Sequence, residues 1–109
     1  MARILRLVPS RGYVQQVLWE AVGVLDNPDN ARSLGVVLAA SALAKLRPDD
    51  FDVDAHRLRW SAICESLHGL DRDHPYGPIA DTVSGMSRHQ LLAVEHQIRE
   101  LAELVGPLQ

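Results

Sequence analysis

The apolar positions of this chain recur at helical spacing in several stretches, and one of these sets the plan for the others. Residues 34–46, Leu34-Gly-Val-Val-Leu-Ala-Ala-Ser-Ala-Leu-Ala-Lys-Leu46, form the longest nearly uncharged apolar run. Leu34, Val37 and Leu38 point one way while Val36, Ala40 and Leu43 point another, so the apolar surface is not confined to one stripe. A helix apolar nearly all round belongs in the middle of a bundle, and the pattern predicts such a buried helix over 30–46. The small residues Gly35, Ala39, Ala40, Ala42 and Ala44 let neighbouring backbones come close. Pro48 restricts Arg47 and ends the helix, with Lys45 and Arg47 suited to its negative end.

The flanking segments read as helices that cover this one. Val14, Leu18, Ala21 and Leu25 recur at steps of four, three and four, which predicts a helix over 11–26, with Val17 and Val22 widening its face. Asp26-Asn-Pro-Asp-Asn30 stops it and restarts the chain, with Asp29 or Asn30 placed to cap the next helix. So short a link implies antiparallel neighbours. Asp49-Asp-Phe-Asp-Val-Asp54 supplies caps for a third helix over 54–68, where Trp60, Ile63, Cys64 and Leu67 share a face with Leu58 and Ala62 beside them. After the breaker-rich loop 71–78, Pro78 opens a short helix over 78–84. Ser87-x-x-Gln90 is a capping box for a last helix over 87–105. Its Leu91, Val94, Ile98, Leu101 and Val105 repeat at three, four, three and four, the seam spacing of coiled-coil packing. Residues 2–8 read as a short edge strand or extended arm ending at Pro9.

The expected fold is therefore all-α: four main helices plus one short one, with an N-terminal arm. At 109 residues one helical domain over 1–109 is expected, long enough to bury a core without staples. A single Cys64 excludes an intramolecular disulfide and, with no signal-peptide pattern at the start, points to the cytoplasm. The run over 34–44 is too short for a membrane span, which takes about 20 apolar residues. Residues 1–47 carry six basic against three acidic side chains, and residues 48–109 carry five against eleven, giving the net −3. That balance offers no general attraction for nucleic acid, though a local basic patch remains possible. Ten of the eleven basic residues are Arg, and Ala, Val and Leu abound, the composition of a GC-rich bacterial or phage genome.

Candidate chemistry falls short at each place it arises. Asp50-x-Asp52-x-Asp54 has the opening of a calcium loop, but the sixth position is Ala55 rather than Gly and the twelfth Ser61 rather than Glu, so helix capping is preferred. Glu65-x-x-His68 has the spacing of di-iron bundles, yet the second pair and two further glutamates are missing. Cys64 and His68, one turn apart, find no partner pair with metal-ligand spacing. No nucleophile with a base, no metal set and no phosphate loop can be assembled, so no cofactor, no metal and no small-molecule substrate are expected. His89 and His96 share a face of the last helix with Arg88, Glu95 and Arg99 nearby, the makings of a partner-binding or pH-sensitive surface, with a plain solvated face the preferred reading. The run Asp54, His56, Arg57, Arg59 and Trp60 mixes charge and an aromatic as interfaces do.

Ile79-Ala-Asp-Thr-Val-Ser-Gly-Met-Ser-Arg-His-Gln-Leu-Leu92 resembles the helix-turn-helix of DNA-binding regulators. It has a short helix starting Ile-Ala, a turn with Gly, then Ser-Arg opening a second helix. The resemblance implies that Ser87, Arg88, His89 and Gln90 would enter the major groove. It covers 79–92 alone, and Gly85 lies five residues after Ala80 where the family has four. Glu95, Glu100 and Glu103 make the far half of that helix acidic.

The preferred expectation is a non-enzymatic adaptor or regulatory module that binds a protein partner or a second copy of itself through a helix face. Leu92 and Leu104 flank the C-terminal seam and widen it beyond what docking on one bundle needs. With Glu95, His96 and Arg99 they form the expected contact surface, and a homodimer is the simplest way to cover it. A DNA-binding regulator using 79–92 is the alternative.

Overall fold

A computed structural model describes residues 11–67 and 76–107. Among the described residues five α-helices follow one another: α1 (Arg11–Asp26), α2 (Arg32–Leu43), α3 (Asp54–Ser66), α4 (Tyr76–Ser84) and α5 (Arg88–Val105), with a 3₁₀ turn at Pro48–Asp50. There is no strand among the described residues. The architecture is all-α; the N-terminal arm and residues 71–75 of the expected 71–78 loop lie outside the described residues, and 76–78 belong to α4.

The central position falls to α2, which packs against α1, α4 and α5. Gly35, Val36, Val37, Ala39, Ala40 and Leu43 are buried. A Cβ added at Gly35 would meet the Val24 carbonyl oxygen of α1 at 3.7 Å, so the two backbones do approach closely here. The burial is nonetheless one-sided. Leu34 is 39% exposed and Leu38 half-buried, and 34, 38 and 41 share the side of the helix turned away from α1, α4 and α5. The helix is also shorter than 30–46. At its C-terminus Lys45 and Leu46 switch to tighter turn bonds from their N–H groups to the Ala42 and Leu43 carbonyls. Leu46 stays buried in the core beyond the helix end.

The link into α2 differs from the expected cap. The Asn30 side-chain amide donates back to the Val24 carbonyl at 3.1 Å, closing α1, and the Asp29 N–H donates to Asn27 Oδ1 at 2.9 Å. Ala31 is left at the N-cap of α2 with no side-chain bond. Similarly, Val53 holds the N-cap of α3 without a side-chain bond, and Asp50 caps the 3₁₀ turn by accepting from the Arg47 N–H at 2.8 Å.

Two tryptophans tie helix ends together. Trp60 is buried, stands 5.4 Å from the Phe51 ring, and donates from Nε1 to the Leu43 carbonyl at 3.1 Å. That bond is the second at this end carbonyl of α2, which also accepts from the Leu46 N–H. Trp19 of α1 donates to the Gly106 carbonyl at 2.8 Å, just past α5, and Gly106 itself takes φ +107°, where a Cβ would be strained. The remaining apolar faces fill the space between: Val14, Val17, Leu18, Ala21 and Val22 from α1, Ile63 from α3, Ile79 and Val83 from α4.

Candidate functional site

The capping box expected at the start of α5 is formed. Ser87 Oγ accepts from the Gln90 N–H at 3.2 Å, and Gln90 Oε1 accepts from the Ser87 N–H at 2.8 Å. From there Leu91, Val94, Ile98, Leu101 and Val105 are all buried, together with Ala102. The seam is thus fully used inside the chain, where α5 packs against α1, α2 and α3. What remains for a partner is the rest of the helix surface.

Leu92 is 41% and Leu104 47% exposed, both left outside the core. Twelve residues at about 100° each set them about 120° apart around the helix, so they belong to two stripes. Leu92 shares one with His96, Arg99 and Glu103, and Leu104 shares the other with Ala93, Gln97 and Glu100. Glu95 does not sit at a rim. Its side chain is only 13% exposed and lies 2.7 Å from Arg32 at the start of α2 and 4.0 Å from Arg99, which in turn pairs with Asp26 at 2.7 Å. These four charges fasten α5 to the α1–α2 turn and line an open cleft of about 360 Å³ with Pro28 and Gly35. His96 is well exposed, 3.8 Å from Glu100, which also pairs with Arg59 of α3. Of the five residues proposed for partner contact, Leu92, His96 and Leu104 therefore face outward, while Glu95 and Arg99 act within the chain.

The four residues that would read DNA are all exposed, but the Ser87 and Gln90 side chains are engaged with each other's backbone, leaving Arg88 and His89 as the pair not tied up in the cap. The principal packing of α4 is onto α2. Among the described residues no group of three or more His, Cys, Asp and Glu side chains could hold a metal ion. Cys64 is half-buried and Glu65 exposed; His68 lies outside the described residues. Asp54 of the acidic run pairs with Arg57 at 3.0 Å on its own helix. No described helix is long and apolar enough to cross a membrane.

Leu58, expected beside the apolar face of α3, lies outside the core. It is 65% exposed, more than any other large hydrophobic among the described residues. The signal was in the spacing: two residues before Trp60 is about 200° around a helix and five before Ile63 about 140°, which puts Leu58 opposite the buried face. Comparison with family models, with curated proteins and with solved structures finds no match to this chain.

Proposed function

We propose that this chain is a non-enzymatic, homodimeric adaptor or regulatory module of the cytoplasm that binds protein through the outward surface of α5. The observation that carries this reading is that Leu92 and Leu104 stay 41% and 47% exposed on a helix whose buried side already completes the core. Fully burying a Leu contributes roughly 1.5 to 3 kcal/mol, so each of these half-exposed side chains still offers about 1 kcal/mol to an association. His96 and Glu103 lie between them around the helix and supply the polar part of such a surface.

The alternative, a helix-turn-helix regulator using 79–92, has less support. Two of its four readers are committed to the capping box, and the following turns of α5 carry Glu95, Glu100 and Glu103, which a phosphate backbone would oppose. Sedimentation of the wild type and of the Leu92→Ser, Leu104→Ser double variant tests the preferred reading. A dimeric wild type and a folded, monomeric variant support it; a folded variant that remains dimeric removes α5 from the interface.

A further inference from the structure

We propose that the groove between α3 and α5 is the contact through which two copies of this chain pair about a two-fold axis. This rests on the protein-binding reading above and gives it a face, a partner and a charge pattern.

Two exposed stripes border the groove. On α3, Ala55, Leu58 and Ala62 recur at steps of three and four, and all three are exposed. On α5, Ala93, Gln97, Glu100 and Leu104 recur at steps of four, three and four, exposed except for the half-covered Glu100. Between them lies a depression of about 120 Å³ lined by Arg59, Ala62, Ile63, Gln97 and Glu100. Arg59 pairs with Glu100, and Ala62 and Ile63, one turn on along α3, line the depression with Gln97, one turn back along α5, which is the order of antiparallel helices. Leu58 and Leu104 add the largest exposed apolar surface on the two stripes, at 65% and 47%.

The charges say what fits. Arg59 stands on one wall and Glu100 on the other, with side chains 51% and 43% exposed. Arg59 and Glu100 pair with each other, so an occupant either leaves that pair in water or meets it with an anion beside Arg59, a cation beside Glu100 and apolar surface around them. A second copy turned half a turn about an axis through this ion pair brings that set, with the partner's Glu100 over Arg59 and the partner's Arg59 over Glu100. A face carrying one sign only would repel its own copy, whereas this one is self-complementary. The small side chains of Ala62 and Ala93 leave room for the larger ones opposite. Two helices about 10 Å apart, over the roughly 20 Å length of α3, present a footprint on the order of 400 Å². Over both copies that is about 800 Å², below the standard size of a specific interface, so a weak association is expected.

The test uses Arg59→Glu and Glu100→Arg, at side chains 51% and 43% exposed, in sedimentation up to about 100 µM so that weak association is reached. Each variant alone sets like charges across the axis and is expected to sediment as a folded monomer. Mixed one to one, one chain carries only acids at the two positions and the other only bases, so both cross-contacts become attractive and the dimeric mass returns. The ion pair within each chain stays broken in the mixture, so a purely intrachain role cannot produce that recovery. Leu58→Asp, at a position too exposed to disturb the core, is expected to give a folded monomer as well. Single variants that remain dimeric, a mixture of folded chains that remains monomeric, or a monomeric wild type would overturn the proposal. A dimer indifferent to Arg59→Glu but dissolved by Leu92→Ser refutes the groove and leaves the α5 reading standing; a monomeric wild type removes self-association altogether.

Discussion

Leu43 and Leu58 carry the same side chain in opposite surroundings, and truncating each to Ala tests the packing directly. Leu43 is fully buried at the C-terminal end of α2, beneath the carbonyl that Trp60 bonds. Its removal forfeits the transfer energy of the deleted groups and leaves a cavity that a close-packed interior closes only in part, at a cost of about 2 to 5 kcal/mol. At about 4 °C per kcal/mol for a domain of this size, the melting temperature should fall by roughly 8 to 20 °C. Leu58, at 65% exposure on α3, has little to lose, and its Ala variant should stay within about 0.5 kcal/mol of the wild type. Thermal melts followed by far-ultraviolet circular dichroism at a concentration low enough to keep the chains monomeric give both numbers. Equal losses for the two variants, or a larger loss at Leu58, would refute the placement of α2 at the centre and of Leu58 outside it.

Other perturbations probe the links between elements. Trp60→Phe keeps most of the buried ring but leaves the Leu43 carbonyl with the Leu46 N–H alone, and should cost about 1 kcal/mol in the same melts; an unchanged melting temperature would show that water replaces the bond without loss. Ser87→Ala removes half of the capping box and should cost about 1 kcal/mol, whereas Ser84→Ala, whose hydroxyl donates to the Asp81 carbonyl on the exposed side of α4, should cost less. No sequence-specific duplex complex is expected even at low salt. If one forms and Arg88→Ala weakens it by about 1 to 3 kcal/mol, the helix-turn-helix alternative replaces the present reading.

Elements whose ends are written in local side chains could be read from the sequence. The limits of α1 follow from its periodicity and from Asn27-Pro28, and the start of α5 from Ser87 and Gln90, because a cap acts within one turn of the chain. The seam of α5 was equally plain, and all five of its residues are buried. Ends fixed by other parts of the molecule were not legible. Asn30 has the chemistry to cap α2, but its amide closes α1 instead, a choice between two neighbouring helix ends that composition does not decide. The last residues expected in α2 form turns, and the 3₁₀ turn that follows is opened by Pro48 and closed by Asp50, whose carboxylate accepts from the Arg47 N–H. Which side of α2 would be left open depends on how many helices reach it, so Leu34 and Leu38 looked as central as Val36. The contact surface was half legible for the same reason. Periodicity marked Leu92 and Leu104 as extra to the seam, but the partners of Glu95 lie in α2 and α5, and Arg32 is 63 residues away in the chain. Leu58 was within reach of the wheel geometry, and its neighbours Arg59 and Trp60 drew attention to the segment without separating its two faces.

The central claim is that the outward surface of α5 is a protein contact, and sedimentation equilibrium of the wild type beside the Leu92→Ser, Leu104→Ser variant tests it most directly. Each half-exposed Leu contributes about 1 kcal/mol, and a two-fold interface counts each twice. The loss is then about 4 kcal/mol if both stripes are covered and about 2 kcal/mol if only one is, a weakening of roughly 30-fold to 1,000-fold in Kd. The account predicts a wild type with the mass of a dimer at micromolar concentration and a variant that is folded and monomeric there. A wild type that is strictly monomeric, or a folded variant that is still a dimer, would contradict it and leave α5 as part of the core alone.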